Sequence, residues 1–307
     1  MKRLLKFILR RVLSAVLTLF VVATLTFFIM NAVPGGPFNT ERASKRTVEA
    51  MERKYGLDKP LFEQYLMYMG RLARLDLGDS YKRIGFSVNQ IIGEKFPISA
   101  GLGGVAIGLA LLMGVPAGVY AARRRNSVAD RIIMFVATLG ISVPSFVMAT
   151  SLLLLFGVAL QWLPTLGLSS WQHYIMPSIA LSFFPGCFIA RLMRSSMLDV
   201  LGQDYIKTAR AKGLSEFKVN FKHALRISVV PVLSYLAILS AGVLVGGFVI
   251  ERIFTIPGLG KFFIDSINNR DYPLVMGTTV FFAALLILFN LIVDLLYGVI
   301  DPRIKYD

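Results

Sequence analysis

Residues 12–33 read VLSAVLTLFVVATLTFFIMNAV, an unbroken run without one charged side chain. A helix rises about 1.5 Å per residue, so roughly 20 apolar residues cross the ~30 Å hydrocarbon core of a bilayer. The preceding stretch, Met1 to Arg11, is basic, as in a secretory leader. The apolar run is longer than the about 7–15 residues of a leader core, and no small-residue cleavage pattern follows it. It reads as a retained first helix.

Five more such runs follow. They are 98–122 (ISAGLGGVAIGLALLMGVPAGVYAA), 132–160 interrupted at Pro144, 174–193 with Pro177 and Pro185, 227–250, and 274–300. Each is long enough to span. Proline and glycine are tolerated there because neighbouring helices re-satisfy freed backbone groups. Gly101, Gly103, Gly104 and Gly108 are small positions through which helices can approach closely. The expected fold class is therefore an all-α integral membrane protein with six transmembrane helices. Composition agrees, with 55% hydrophobic and 17% charged residues, against about 25% charged in soluble domains.

Net charge is +15, which in a soluble protein would point to nucleic acid. Here the distribution explains it. Basic residues crowd the N-terminal tail (Lys2, Arg3, Lys6, Arg10, Arg11) and the 2–3 loop (Arg123, Arg124, Arg125, Arg131). They also fill the 4–5 loop (Arg191, Arg194, Lys207, Arg210, Lys212, Lys218, Lys222, Arg226) and the C-terminal tail (Arg303, Lys305). The 3–4 loop near 161–173 has no Asp, Glu, Lys or Arg. Lys and Arg mark the cytoplasmic side, so both termini are expected in the cytoplasm, and the charge reads as topology and contact with anionic lipid. No nucleic-acid partner is expected. The segment 34–97 lies between the first two spans. It is long enough to cross regardless of its charge, and it reads as an extracytoplasmic lobe, helical over 47–75 and broken at Gly56–Pro60.

Catalytic signals are missing. His173 and His223 fall on opposite sides in this topology and cannot share a metal, and Cys187 stands alone in an apolar run. No HExxH, GxSxG or CxxC occurs. The stretch 257–263 (PGLGKFF) lacks the first glycine of a phosphate-binding loop, and Phe262 stands where Ser or Thr would hold magnesium. The chain is expected not to be an enzyme and to carry no cofactor or metal.

The 4–5 loop, 194–226, reads RSSMLDVLGQDYIKTARAKGLSEFKVNFKHALR. Its centre predicts a short helix, with Asp204 capping the start and Gly213 stopping it. Tyr205, Thr208 or Ala209, and Lys212 recur at helical spacing. Such a helix can rest on lipid or dock in a groove on another protein.

Residues 205–214 (YIKTARAKGL), 222–225 (KHAL) and Pro231 resemble the cytoplasmic loop of binding-protein-dependent ABC importer permeases. The oligopeptide/dipeptide branch, B-type subunit, is the one resembled. FILRRVLSAVLTLFVVATLTFF at 7–28, PGGPF at 34–38 and LDLGDSY at 75–81 fit it too. So do ERIFTIPGLGKFFIDSINNRDYPLV at 251–275 and NLIVDLLYGVIDPRIKY at 290–306. The resemblance implies a type I ABC importer permease fold in a bacterial or archaeal cytoplasmic membrane. It also implies a related second permease, two ATP-binding subunits that hold ATP and magnesium, an extracytoplasmic substrate-binding protein, and a peptide cargo. Nickel complexes, glutathione or another small solute are alternative cargoes in the same branch. The loop helix would be the coupling helix, with Tyr205, Lys207, Thr208, Ala209, Arg210, Lys212, Gly213 and Leu214 meeting the ATPase. The general motif's glutamate is absent, since Lys207 stands at its place when aligned on Gly213; Arg210 and Lys212 are the candidates for the polar contact.

The expected organisation is a tail and first helix (1–33), the lobe (34–97) and a five-helix core (98–307). Thr138, Ser142, Ser145, Ser182 and Ser240 are candidates for a weakly polar substrate path, and each can instead bond to its own helix backbone. Asp294, the one ionisable residue deep in a span, is a candidate for a structural ion pair. An ion-coupled secondary transporter would need charged or broken-helix sites at mid-membrane. Apart from Asp294 the sequence offers none.

Overall fold

The structure, a computed structural model, describes residues 2–38 and 45–300, with the backbone alone at 2–8, 45, 237, 241, 244–246 and 293–300. The described chain is helical, with one isolated β-bridge between Asp79 and Ser87. The order is α1 (Lys2–Ala32), α2 (Lys45–Tyr55), α3 (Leu61–Leu72), α4 (Val88–Arg123), α5 (Val128–Ser142) and α6 (Ser145–Leu152). Then come α7 (Ile175–Leu201), α8 (Asp204–Ala211), α9 (Leu225–Ser228), α10 (Val230–Ile253), α11 (Leu259–Asn269) and α12 (Tyr272–Ile300). Two π-helical segments, Leu153–Ala159 and Lys218–Ala224, extend α6 and lead into α9.

Among the described residues four helices are long and apolar enough to cross a membrane: Leu9–Ala32, Val88–Arg123, Trp171–Leu201 and Tyr272–Ile292. The number reaches 6 if two bent pairs each count as one span. The expected third span is one of these, bent by 99° between Val128–Ser142 and Ser145–Ala159. The bend follows from Pro144, which forces Val143 out of the helical region (φ −88, ψ 116) and donates no backbone hydrogen bond. The expected second span begins earlier than its apolar run, at Val88, because the polar turns before Ile98 continue the same helix.

The helices fall into two compact units, residues up to 98 with 258–288, and 99–257 with the rest of the described chain. In the first unit the 34–97 segment supplies α2 and α3, separated at Gly56 as the sequence predicts. Phe27, Tyr272 and Met276 are buried together, with Tyr65, Tyr68 and Tyr81 packed against them. Asp271, 2% exposed, accepts hydrogen bonds from Ser80 Oγ and from the backbone N–H of Tyr81 at 3.0 Å, and so ties the lobe to the start of α12.

In the second unit α7 is central and packs on α5, α6 and α10. It meets α4 closely at two glycines outside the predicted group. A Cβ on Gly114 would lie 2.6 Å from Gly186 O, and one on Gly118 would lie 2.5 Å from Ala190 O. By contrast nothing lies within 4 Å of a Cβ on Gly104 or Gly108, and Gly101 meets only the Tyr174 hydroxyl at 4.0 Å. The close-approach reading of those three is thus corrected: Gly104 and Gly108 face open space, Gly101 only grazes a side chain, and the contact with α7 lies about two to five turns further along α4.

Candidate functional site: the helix between α7 and α10

α8 follows α7 after only Gly202 and Gln203, whose backbone N–H groups bond Leu198 O at 3.3 Å and Val200 O at 3.1 Å. The short link leaves little slack between the two helices. The N-cap is Gln203, with no side-chain cap. Asp204, predicted to cap, lies one position inside the helix and instead pairs its Oδ1 with Lys207 Nζ at 2.8 Å, one turn on. An acidic residue in the first turn still complements the helix dipole.

The stop is as predicted. Gly213 has φ +75, the left-handed conformation that costs a glycine nothing. Its N–H bonds Arg210 O at 2.9 Å, and the Leu214 N–H bonds Ala209 O at 3.3 Å. This pair of bonds closes the helix end as a Schellman motif. Nothing lies within 4 Å of a Cβ built on Gly213, so its surface is open to a partner.

The helix has two faces. Ile206 and Ala209 are buried, at 0% and 8% exposed. α8 packs on the Lys218–Ala224 segment, whose Val219, Asn220 and Ala224 are also buried. Tyr205, Lys207, Thr208, Arg210 and Lys212 are exposed, Gly213 with them, and Leu214 is half-buried. Of the two residues the spacing left open for the outer face, Thr208 occupies it and Ala209 turns inward.

The basic residues of α8 are not equivalent. Lys207 is held by Asp204. Arg210 Nε reaches Glu216 Oε1 at 2.8 Å, and Asn220 Nδ2 donates to Glu216 Oε2 at 3.4 Å. The Arg210 hydrogen bond holds the Glu216 carboxyl below the usual carboxylate range. Among the described residues Lys212 is in no ion pair, so of the two proposed polar contacts it is the one already available.

Two features escaped the sequence. Phe217 and Phe221 stack with centroids 4.7 Å apart, and both are exposed. Arg123, at the end of α4, sits 5.9 Å from the Phe221 ring. The signal was two aromatics four apart just past the Gly213 stop. The second feature is an ion pair with a buried carboxylate. Arg194 on α7 grips Asp130 at the start of α5 through Nε–Oδ1 at 2.6 Å and Nη2–Oδ2 at 2.7 Å. Asp130 also accepts from the Asn126 N–H at 2.9 Å. A bidentate guanidinium–carboxylate pair fixes geometry as well as charge. Nothing in a linear sequence relates two residues 64 positions apart.

The path candidates are scattered. Thr138 and Ser142 are exposed on α5 and bond back to Met134 O at 2.8 Å and Thr138 O at 3.1 Å. Ser240 does the same to Leu236 O at 2.7 Å. Ser182 is 0% exposed and bonds Ile179 O. Ser145 opens α6, half-buried beside the Pro144 bend. The side chain of Asp294 lies outside the described residues.

The short helix, its glycine stop and the aromatic pair lie together just past the end of α7, the central helix of its unit. Residues 114–306 match the family described as binding-protein-dependent transport system inner membrane component. Residues 4–102 match its N-terminal companion. The chain belongs to this family, the membrane permeases of ABC importers. Among its relatives is the dipeptide transport system permease protein DppB of Bacillus subtilis (strain 168), 47% identical over 301 residues and covering 98% of each chain. The oligopeptide transport system permease protein OppB of Escherichia coli (strain K12) is 45% identical over 306 residues, 99% of this chain and 100% of that one. Among solved structures the MetNI methionine ABC transporter, in an inward-facing conformation, shares the fold. It has a TM-score of 0.57 at 16% identity and covers 69% of this chain and 96% of that one.

Proposed function

We propose that this permease forms half of a peptide-import pore and receives the stroke of a separate ATPase through α8. One observation carries the reading: α8 is a short helix with an exposed polar face, joined by two residues to α7 at the centre of its unit. In this reading the chain has six spans, both termini are cytoplasmic, and 34–97 is extracytoplasmic, where it meets a substrate-binding protein. The excess of Lys and Arg around α8 and its absence from 161–173 support the orientation. The names of the relatives support peptides as cargo.

Two ATP-binding subunits close on ATP and magnesium, and each grips one coupling helix. This chain supplies one; a related permease supplies the other. Thr208, Lys212 and the open Gly213 surface form the contact, flanked by Phe217 and Phe221. Displacement of α8 then moves α7, and the Asp130–Arg194 pair carries α5 with it. Rigid-body motion of packed helices needs such stiff connections. This chain performs no hydrolysis itself.

Replacing Gly213 with Val tests the reading. The β-branched side chain is strained at φ +75 and covers the open surface. ATP-dependent peptide uptake should fall at least tenfold while the permease accumulates in the membrane at its normal level. Unchanged uptake would overturn the docking role. ATP turnover by the purified permease alone would overturn the division of labour.

A further inference from the structure

α3 carries apolar side chains on two adjacent sides. Tyr65 and Tyr68, on one side, pack against α1. The Tyr65 and Thr24 hydroxyls hydrogen-bond each other at 2.9 Å, and the Tyr65 ring stacks on Phe28 with centroids 5.4 Å apart. Tyr68 stacks on Phe27 at 5.6 Å. Beside that face runs a second stripe, Phe62, Leu66 and Met69, at i, i+4 and i+7. Met69 is half-buried, but Phe62 is 66% exposed and Leu66 53%. Gln64 and Arg71 occupy the side opposite the stripe, where Gln64 Nε2 donates to Leu57 O at 3.1 Å and to Lys59 O at 2.8 Å. The helix is thus amphipathic, and only part of its apolar surface is covered by protein.

The contact with α1 fixes a height for this stripe. Leu9–Ala32 is long and apolar enough to cross a membrane. Phe28 and Thr24 lie about 6 Å and about 12 Å before the end of that helix at Ala32, measured along its axis. α3 therefore sits beside the last turns of a span, not beyond its end. A helix lying in a membrane interface sinks its apolar face about 5–10 Å into the headgroup and acyl boundary, which is the same depth. The apolar surface is also continuous. Leu25, Phe28 and Ile29 are exposed on α1, and Phe28 touches Tyr65, the neighbour of Phe62 and Met69 on α3. A patch built to dock a water-borne protein would stand clear of the bilayer, and this one is level with a span.

We infer that α3 lies in the interface of the extracytoplasmic leaflet, with Phe62, Leu66 and Met69 among lipid acyl chains. Arg71, in its last turn, then points towards headgroups and water. The occupant of the stripe is the bilayer itself, and the 34–97 segment is anchored to it rather than standing free in water. The choice of leaflet rests on the topology proposed above. The depth does not, because it follows from the contact with α1.

The test uses the whole transporter complex in phosphatidylethanolamine–phosphatidylglycerol vesicles, with Cys187→Ala and the partners' cysteines removed. A nitroxide is attached at Leu66→Cys and, separately, at Arg71→Cys on the opposite side. Its collision rates are measured by electron paramagnetic resonance with oxygen, which concentrates in lipid, and with a neutral nickel complex, which stays in water. The oxygen-to-nickel ratio at Leu66 should exceed that at Arg71 by about threefold or more, as a difference in depth across an interfacial helix requires. Phe62→Cys, one turn away on the same stripe, carries the measurement if the Leu66 variant fails to assemble. Equal ratios on the two sides would place the stripe in water and overturn the inference. Low collision rates with both reagents at Leu66 and Phe62 would overturn it too, showing that the binding protein, the second permease or another copy covers the stripe. Impermeant maleimide added to intact vesicles and to cells distinguishes the leaflet. Reaction of Arg71→Cys from the cytoplasmic side alone would overturn the proposed topology, and with it the leaflet, while a raised ratio at Leu66 would still show the anchoring.

Discussion

The most apolar window of α1, within Leu9–Ala32, has a mean hydropathy of 2.5 and is 11% buried. The corresponding window of Trp171–Leu201, which contains α7, has a mean hydropathy of only 1.5 and is 56% buried. In water the more apolar helix would be the inner one. In lipid the hydrophobic effect does not draw helices together, and packing, small residues and hydrogen bonds do. α1 therefore presents Leu13, Leu17 and Ile29 outward. α7 lies inside because Gly114 and Gly118 of α4 let it come close and Asp130 holds Arg194. The inner helix is also the one that continues into α8, so the element to which the proposed function gives the transmitted motion is the one held by specific contacts.

The contrast breaks most severely at Gly118. Leucine there would drive its side chain into Ala190 O and Met193 Cβ, with backbone on one side and a buried residue on the other. We expect a loss of at least about 3 kcal/mol, the top of the range for overpacked cores. Little folded permease should then be recovered from the membrane in a fluorescence size-exclusion assay.

Asp130→Ala strikes the charge that anchors α7. It strands Arg194, which is 25% exposed, so its cost should fall below the ~3–5 kcal/mol of a fully buried broken pair, at about 2 kcal/mol. The Asp130→Ala/Arg194→Ala variant should be less damaged than the single one. A double-mutant cycle of thermal melts in detergent measures the difference.

Arg210→Ala sharpens the same contrast at the exposed end. Glu216 titrates below its usual range in the folded protein, so its contribution is present above the ordinary carboxylate pKa and lost as pH falls through the depressed value. Arg210→Ala should flatten that acid-side loss. The pair is exposed, so the stability difference at neutral pH should stay below about 1 kcal/mol, read from melts between pH 3 and 7.

Leu17→Ala is the smallest perturbation. The side chain is 61% exposed on α1, and its removal should alter melting by no more than about 0.5 kcal/mol. A cost as large as that of Asp130→Ala would show that α1 is held by packing after all.

The apolar runs, the stop at Gly213 and the break at Gly56 were all legible in the sequence, because each is a local property of composition or of one residue's backbone freedom. The 99° bend at Pro144 was legible as an interruption but not as an angle, which depends on what packs against each half. The close contacts were not legible. Gly104 and Gly114 are chemically the same residue, and only the path of α7 decides which one meets a carbonyl. Asp204 misled for a related reason: its position one residue inside the helix put Lys207 within reach, and the cap passed to Gln203. Ala209 belonged to the right helix but to its inner face, since burial on the Lys218–Ala224 segment fixes a rotation that spacing alone left open.

The central claim is that α8 meets a separate ATPase through its Thr208 face. It is tested most directly by a single cysteine at Thr208 in a Cys187→Ala background, cross-linked in membranes that contain the partner subunits. The account predicts a covalent adduct between this permease and an ATP-binding subunit, with the residue reachable by impermeant maleimide only from the cytoplasmic side. A cysteine that stays unlinked beside an assembled ATPase, or that reacts with the reagent from outside, would contradict it.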